Sequence, residues 1–306
     1  MMVMYDVVII GKGPAGLTAG IFSVRRGLKT LVLGNPAELS QMTEAHWVDN
    51  YPGILDVTGP QIMKKLEDHA KRMKLEMKDD EVTEVLRSGK HFTVKCDKGK
   101  YEGRTLIIAT GSKHRKANIK GEAEFSGKGV SYCANCDGPL FKGRKVLVVG
   151  GGDAALGAAL MLESIGADVT IIHRRDEFRG IESLRNRIKK SGVKVMWNTI
   201  PVGIEGDKMV KSIVVKDVKT KKDTEVPVDG VFIEIGSVPI SELAKKLKIK
   251  VNERGFIIVD KEMKTNVEGV FAAGDCTNGP LKQMVTACGD GAIASTSAYI
   301  HIKEKD

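Results

Sequence analysis

Cys133 and Cys136 stand two residues apart with Asp137 directly after them, a spacing that lets two sulfurs close a disulfide while one stays open to an outside thiolate. Ala134 and Asn135 are the spacers. Each exchange step protonates a leaving thiolate and deprotonates an attacking thiol, and Asp137 is the nearest titratable group, so it is the candidate general acid/base. Half of a zinc site shares this spacing, but Cys96, Cys276 and Cys288 supply no second pair, and no metal is expected. Those three thiols read as packed side chains.

Glycine-rich loops carry the other chemistry. Met4 to Ile10 reads as a buried strand, Gly11, Lys12, Gly13, Pro14, Ala15 and Gly16 follow, and Leu17 to Val24 continues with helical period. In that context the first glycine permits a tight turn, the second lets the backbone approach a pyrophosphate, and the third allows close packing, with the helix N-terminus facing the phosphates. No acidic ribose ligand stands where Leu31, Val32, Leu33 and Gly34 end the second strand. The pattern then repeats: Lys145 to Val149 is a strand, Gly150, Gly151, Gly152, Asp153, Ala154 and Ala155 are the turn, Ala158 to Ile165 is a helix, and Asp168 to Ile172 is the next strand. Two such loops imply two dinucleotides. Where an NAD site places a carboxylate, the chain has His173, Arg174 and Arg175, with Arg179 following. Guanidinium forks grip phosphate with paired hydrogen bonds, so this end suits the 2′-phosphate of NADP(H). Further on, Gly269 to Ala273 reads as a short strand closing on Gly274 and Asp275, followed by a helix from Leu281 to Tyr299.

A chain of 306 residues with 42% hydrophobic content can bury more than one core, so two domains are expected. Five cysteines are an odd count and no basic, apolar leader precedes the first strand, which points to a cytosolic protein with a working thiol pair. No apolar run approaches the roughly eighteen residues of a membrane span. The net charge of +9 favours acidic partners, but the lysines are dispersed and only 5% of residues are aromatic, which argues against a nucleic-acid platform.

Together these residues resemble the low-molecular-weight thioredoxin reductases, members of the two-dinucleotide flavoprotein disulfide reductases. The marks are GKGPAG at Gly11 to Gly16, NYPG at Asn50 to Gly53, ATG at Ala109 to Gly111, CANCDG at Cys133 to Gly138, HRRDEFR at His173 to Arg179 and AAGD at Ala272 to Asp275, and they span nearly the whole chain. The resemblance implies an α/β fold of two Rossmann-like dinucleotide-binding domains: an FAD domain formed by residues 1–115 and 244–306, and an NADPH domain, 116–243, inserted between them and carrying the dithiol. It implies FAD contacts from Gly11, Gly13, Pro14, Ala15, Gly16, Gln41, Asn50, Ala109, Thr110, Gly111, Gly274, Asp275, Lys282 and Gln283, with Asp275 and Gln283 on the ribityl chain and ring. It implies NADPH contacts from Gly150, Gly151, Gly152, Asp153, Ala154, His173, Arg174, Arg175 and Arg179. Cys136 is the sulfur expected to face the flavin, Cys133 the thiol that attacks the partner disulfide, and Asp137 the acid/base. The implied activity is thioredoxin-disulfide reduction by a cytoplasmic homodimer whose partner is thioredoxin or a glutaredoxin-like protein. Six positions depart from the family pattern: Leu39 and Ser40 replace a glycine pair before Gln41, Lys282 an arginine, Ala154 a serine or threonine, and Gly157 with Ala158 the usual glutamates.

Nicotinamide and dithiol then share one inserted domain, both need the same flavin, and Cys133 must also meet a bulky protein. The inserted domain is therefore expected to swing on linkers near Ser112 to Lys116 and Ser237 to Ser241. Other readings keep the scaffold as a dithiol oxidase using oxygen or as a ferredoxin-fed reductase, against which the arginine cluster argues. A non-enzymatic redox-sensing or nucleic-acid-binding protein has only the positive charge in its favour.

Overall fold

Val7, Val8, Ile9 and Ile10 are all buried, as a central parallel strand covered on both faces requires. They belong to β1 (Met4–Ile10), which is followed by α1 (Pro14–Arg25), β2 (Thr30–Gly34), α2 (Gly59–Arg72), β3 (Glu76–Asp79), β4 (Val82–Ser88), β5 (His91–Cys96), β6 (Lys100–Ile108) and β7 (Ser112–His114). The computed structural model describes residues 3–35, 40–45, 48, 50–55 and 57–306, so Leu39 lies outside the described residues. Pro14 opens α1 at the position where its missing N–H costs nothing, and a reciprocal Thr58 and Gln61 capping box opens α2.

The chain divides into two units, Met1–Lys113 with Val238–Asp306, and His114–Ser237. Within His114–Ser237 the elements are β8 (Val130–Ser131), α3 (Ala134–Asp137), β9 (Lys145–Val149), α4 (Asp153–Ser164), β10 (Asp168–His173), α5 (Glu182–Lys190), β11 (Lys194–Trp197), β12 (Thr199–Gly206), β13 (Val210–Asp217), β14 (Asp223–Pro227) and β15 (Gly230–Ile233). Their parallel sheet runs β11-β10-β9-β15-β8, and β12-β13-β14 form a separate antiparallel sheet. One face of the parallel sheet buries Val146, Val148, Ile171 and Phe232 against α4, and the other buries Leu147, Val149, Ile172 and Val231 against Ile213 and Val215 of β13.

The return segment supplies β16 (Ser237–Pro239), which pairs with β7, then α6 (Glu242–Lys246), β17 (Val270–Ala272) and α7 (Met284–Lys305). The first unit's sheet runs β3-β2-β1-β6-β5-β4, and β17 lies parallel to the far end of β6. Where the sequence put the second crossing after residue 243, the chain divides after Ser237, because α6 packs on β4 and Ala244 joins the core of Val85, Val94 and Ile257. The last helix starts at Met284 rather than Leu281, since Gln283 takes the N-cap position. Among the described residues no helix is long and apolar enough to cross a membrane.

α7 packs along α1, with Ser23 and Ser295 hydroxyls 2.8 Å apart and Arg26 donating to Thr296. This closeness depends on Gly291, where a Cβ would stand 2.2 Å from the Ala15 carbonyl oxygen. Forcing the helices apart costs overpacking energy, so Gly291→Ala is expected to destabilise the protein by about 1 to 3 kcal/mol. Equilibrium urea unfolding measures it, and an unchanged midpoint would contradict this packing.

Candidate active site

The disulfide is built on a very short helix. Cys133 is the N-cap of α3, and its carbonyl accepts from Cys136 N (3.1 Å) and Asp137 N (3.0 Å). The turn brings the two Cα atoms to 5.3 Å and the sulfurs are bonded. Ser131 Oγ accepts from Cys133 N at 3.1 Å, and Ala134 N donates to Glu234 Oε1 at 3.3 Å. Both cysteines are half-buried, so an outside thiolate has access. Asp137, beside them, keeps a buried Oδ1 with no hydrogen-bond partner among the described residues, a state suited to a group that must take and release a proton.

The second glycine loop belongs to the same unit. β9 is central in its sheet, with β10 on one side and β15 on the other, so its C-terminal end is the point where strand order reverses and where ligands bind in such sheets. Gly152 caps α4 without a side-chain hydrogen bond, and a Cβ there would meet nothing within 4 Å, leaving the first turn's N–H groups open to an anion. Asp153 and Ala154 are exposed at that end, with Asp153 Oδ1 accepting from Ile181 N at 2.8 Å. Arg179 N and Gly180 N both donate to the Gly151 carbonyl (2.8 and 3.2 Å), which ties the basic segment to the loop. Arg174, Arg175 and Arg179 are exposed, and none forms an ion pair among the described residues. His173 is buried against Gly151, Phe178 and Trp197, with Nε2 unpartnered; burial, then the Arg175 and Arg174 charges, holds it below the usual imidazole range. Free guanidinium groups beside an open helix N-terminus fit a phosphorylated dinucleotide.

In the other unit, β1, β6 and β17 end in register, Ile10 opposite Ile108 and Ile108 opposite Ala272. Gly11, Ala109 and Gly274, with the residues around them, are thereby gathered at one sheet end. Gly13 caps α1 without a side-chain bond, so this helix too presents free N–H groups. Pro14, Ala15 and Gly16 are its buried first turn, and a Cβ on Gly274 would meet Ala15 at 2.9 Å. Gln41 Nε2 donates to the Ser112 carbonyl, Thr110 Oγ1 to the Ile240 carbonyl, and Asn50 Nδ2 to Gln283 Oε1 at 3.1 Å. Gly111 follows Thr110 and its carbonyl accepts from Ile240 N. The absent ribose acid has a structural counterpart: a Cβ on Gly34 would run into the Lys12 side chain, which reaches across to pair with Asp79 at the end of β3.

Asp275 is the electrostatic centre of this end. Burial pushes its carboxyl up to about 6, with Lys282 opposing and Asp290 assisting. Burial also lowers Lys282, whose Nζ donates to the Thr277 carbonyl and stands 4.7 Å over the Phe256 ring. Asp290, raised by burial, accepts from Gly274 N at 3.1 Å. A buried, poorly solvated carboxyl beside a free helix N-terminus fits hydroxyl donors of a sugar-alcohol chain. The sequence assigns no role to Asp290, Glu234 or the Lys12 side chain, although the lone acid in the apolar run Gly-Val-Phe-Ile-Glu-Ile-Gly is a signal for Glu234.

A carboxyl raised in the folded state contributes stability that is complete at low pH and is lost as pH climbs through its folded value. In flavin-free protein, Asp275→Asn is therefore expected to match the parent below about pH 4 and to exceed it by about 2 to 3 kcal/mol above pH 7. Urea unfolding across that range checks it; parallel curves would refute the burial cost.

The pyridine nucleotide-disulphide oxidoreductase family model matches residues 5–291. Thioredoxin reductase of Peptoclostridium acidaminophilum is 41% identical over 308 residues, covering 98% of each chain. That of Bacillus subtilis (strain 168) is 40% identical over 98% of this chain and 96% of its own. The solved structure of thioredoxin reductase from Streptococcus pyogenes MGAS5005 superposes with a TM-score of 0.91 at 36% identity, covering 99% of this chain and 100% of that one. With a bonded Cys-x-x-Cys pair and two glycine loops at strand ends, the chain belongs to the pyridine nucleotide-disulphide oxidoreductase family.

Proposed function

We infer that this protein is an NADPH-dependent, FAD-containing thioredoxin-disulfide reductase. One observation carries the reading: a bonded Cys133 and Cys136 pair shares one unit with the exposed Arg174, Arg175 and Arg179, whose segment is tied to an open glycine loop through the Arg179 and Gly180 N–H groups. A ferredoxin-fed or oxygen-using version of the scaffold has no use for that cluster.

Bound FAD supplies the two-electron link between nicotinamide and sulfur. The chain's own residues do the rest. The α1 N-terminus with Gly13 would hold the flavin pyrophosphate, and Asp275 and Gln283 would hold its ribityl chain and ring. Gly150, Gly151 and Gly152 at the start of α4 receive the second pyrophosphate, and Arg174, Arg175 and Arg179 grip the 2′-phosphate. Taking up an electron pair would break the Cys133–Cys136 bond and leave two thiols; Cys133 Sγ then attacks the partner disulfide, forming a mixed disulfide as the partner's first sulfur departs, and Cys136 Sγ displaces the partner's second sulfur, which restores the Cys133–Cys136 bond. Asp137 Oδ1 takes the proton from one thiol and returns it to the leaving thiolate.

The net charge of +9 supports steering toward an acidic thioredoxin or glutaredoxin-like protein. Phe22 on α1 and Ile293 and Ile300 on α7 are exposed apolar side chains, which support a homodimer; we place it in the cytoplasm.

NADPH added to the oxidised protein is expected to bleach flavin absorbance, and an unbleached sample refutes the assignment. Arg175→Ala should raise KM for NADPH about tenfold while leaving that for NADH unchanged; equal effects on both would remove the 2′-phosphate role. Cys136→Ser should retain bleaching yet lose disulfide reduction by about a thousandfold.

A further inference from the structure

One buried acid at the dithiol has no part in that scheme. Glu234 follows Ile233, the last residue of β15, and its backbone is fixed by Glu234 N donating to the Val149 carbonyl at 2.9 Å. Its own carbonyl oxygen lies close against Gly150, where a Cβ would stand only 2.4 Å away. Side chains alternate across a strand, so Glu234 points to the face of Phe232, the face that also buries Ala134 of α3. There Oε1 accepts the N–H of Ala134, the residue joining Cys133 to the helix that carries Cys136.

That N–H is one of the orphan donors at the start of a four-residue helix; among the described residues the other hydrogen bonds of this turn, from Cys133 N, Cys136 N and Asp137 N, go to partners close by in sequence, and Ala134 itself is packed in the core. The fold itself does not ask for an acid here. The two units repeat the same turn, Ala109, Thr110 and Gly111 after β6 and Glu234, Ile235 and Gly236 after β15, and the first unit has alanine at the equivalent position. Burial pushes the Glu234 carboxyl up to about 7, opposed by the Ala134 N–H, so the group accepts a desolvation cost that a small apolar residue would avoid.

We propose that Glu234 is a positioning residue for the dithiol: through the Ala134 N–H it fixes the start of α3, and so sets how readily Cys133 and Cys136 close their disulfide and how fast they exchange. It acts by way of the peptide, not on sulfur. The inference rests on the assignment of Cys133 and Cys136 as the working pair.

The test is the thiol–disulfide equilibrium of the purified flavoprotein in glutathione buffers, read by thiol labelling with no nucleotide added. Glu234→Ala is expected to move that equilibrium constant by about threefold or more, whereas Glu234→Gln, which keeps an oxygen acceptor at the same reach, stays near the parent. Glu234→Asp, too short to reach Ala134 N, should behave like Glu234→Ala and stands in for it if the alanine variant fails to fold. A second readout is the ratio of NADPH-driven thioredoxin reduction to NADPH-driven ferricyanide reduction, which should fall about tenfold in the alanine and aspartate variants and recover in glutamine. Parent-like equilibrium and ratio in the alanine and aspartate variants overturn the proposal, as does a glutamine variant as impaired as alanine. Failure of the parent to reduce either acceptor with NADPH faults the functional assignment instead, while the glutathione equilibrium still decides the role of Glu234.

Discussion

Two close backbone approaches, one in each unit, set everything else. Gly11 and Gly150, each directly after a central strand, adopt φ of +120° and +153°, and a Cβ would stand 2.1 Å from the Ala109 carbonyl oxygen in one case and 2.4 Å from that of Glu234 in the other. The chain must turn there, because the next helix has to pack back against the sheet it has just left. Only a residue without a side chain can turn while grazing the neighbouring strand's last carbonyl. The result is the same in both places: a helix N-terminus with no side-chain cap, aimed past the sheet end.

An uncapped, half-exposed helix start is a cost for a protein without its ligand, and the neighbouring groups share that character. Burial raises the Asp275 carboxyl, and among the described residues Asp137 and His173 each keep a buried atom without a partner and Arg174, Arg175 and Arg179 are exposed with no ion pair. Structural ion pairs in this chain look different: Lys95 with Glu84 or Lys194 with Asp168 sit exposed on strands and satisfy one another. The gathering of such groups near the glycine loops and the dithiol sets these places apart from the rest of the scaffold.

Much of this was legible in the chain because it depends on local sequence. Glycine spacing after an apolar run, the Cys-x-x-Cys pair and the basic run at His173 each speak for themselves, and β1, β9 and β10 fall where the apolar runs lie. The residues that were not legible depend on contacts far along the chain. Lys12 meets Asp79 across 67 positions, Asp290 reaches back to Gly274 N, and Glu234 meets Ala134 across 100. The second crossing is hidden for a similar reason: α6 carries ordinary helix formers, and only its packing on β4 assigns it to the first unit. Family patterns also hide such residues, since they draw attention to positions where the chain conforms.

Glu234 shows how the two chemistries of the inserted unit become one mechanical object. Its backbone carbonyl bounds the nucleotide loop at Gly150 and its carboxyl bounds the dithiol at Ala134, so a single residue at the end of β15 touches both. Strand ends are stiff, being held by sheet hydrogen bonds and by burial of Phe232 and Ile233. A four-residue helix is not, and a disulfide that must open and close in every cycle changes the covalent restraint on it each time. Anchoring the helix start to a strand end would keep the position of Cys133 defined when the bond to Cys136 is absent, the state in which the proposed mechanism has Cys133 meet its partner.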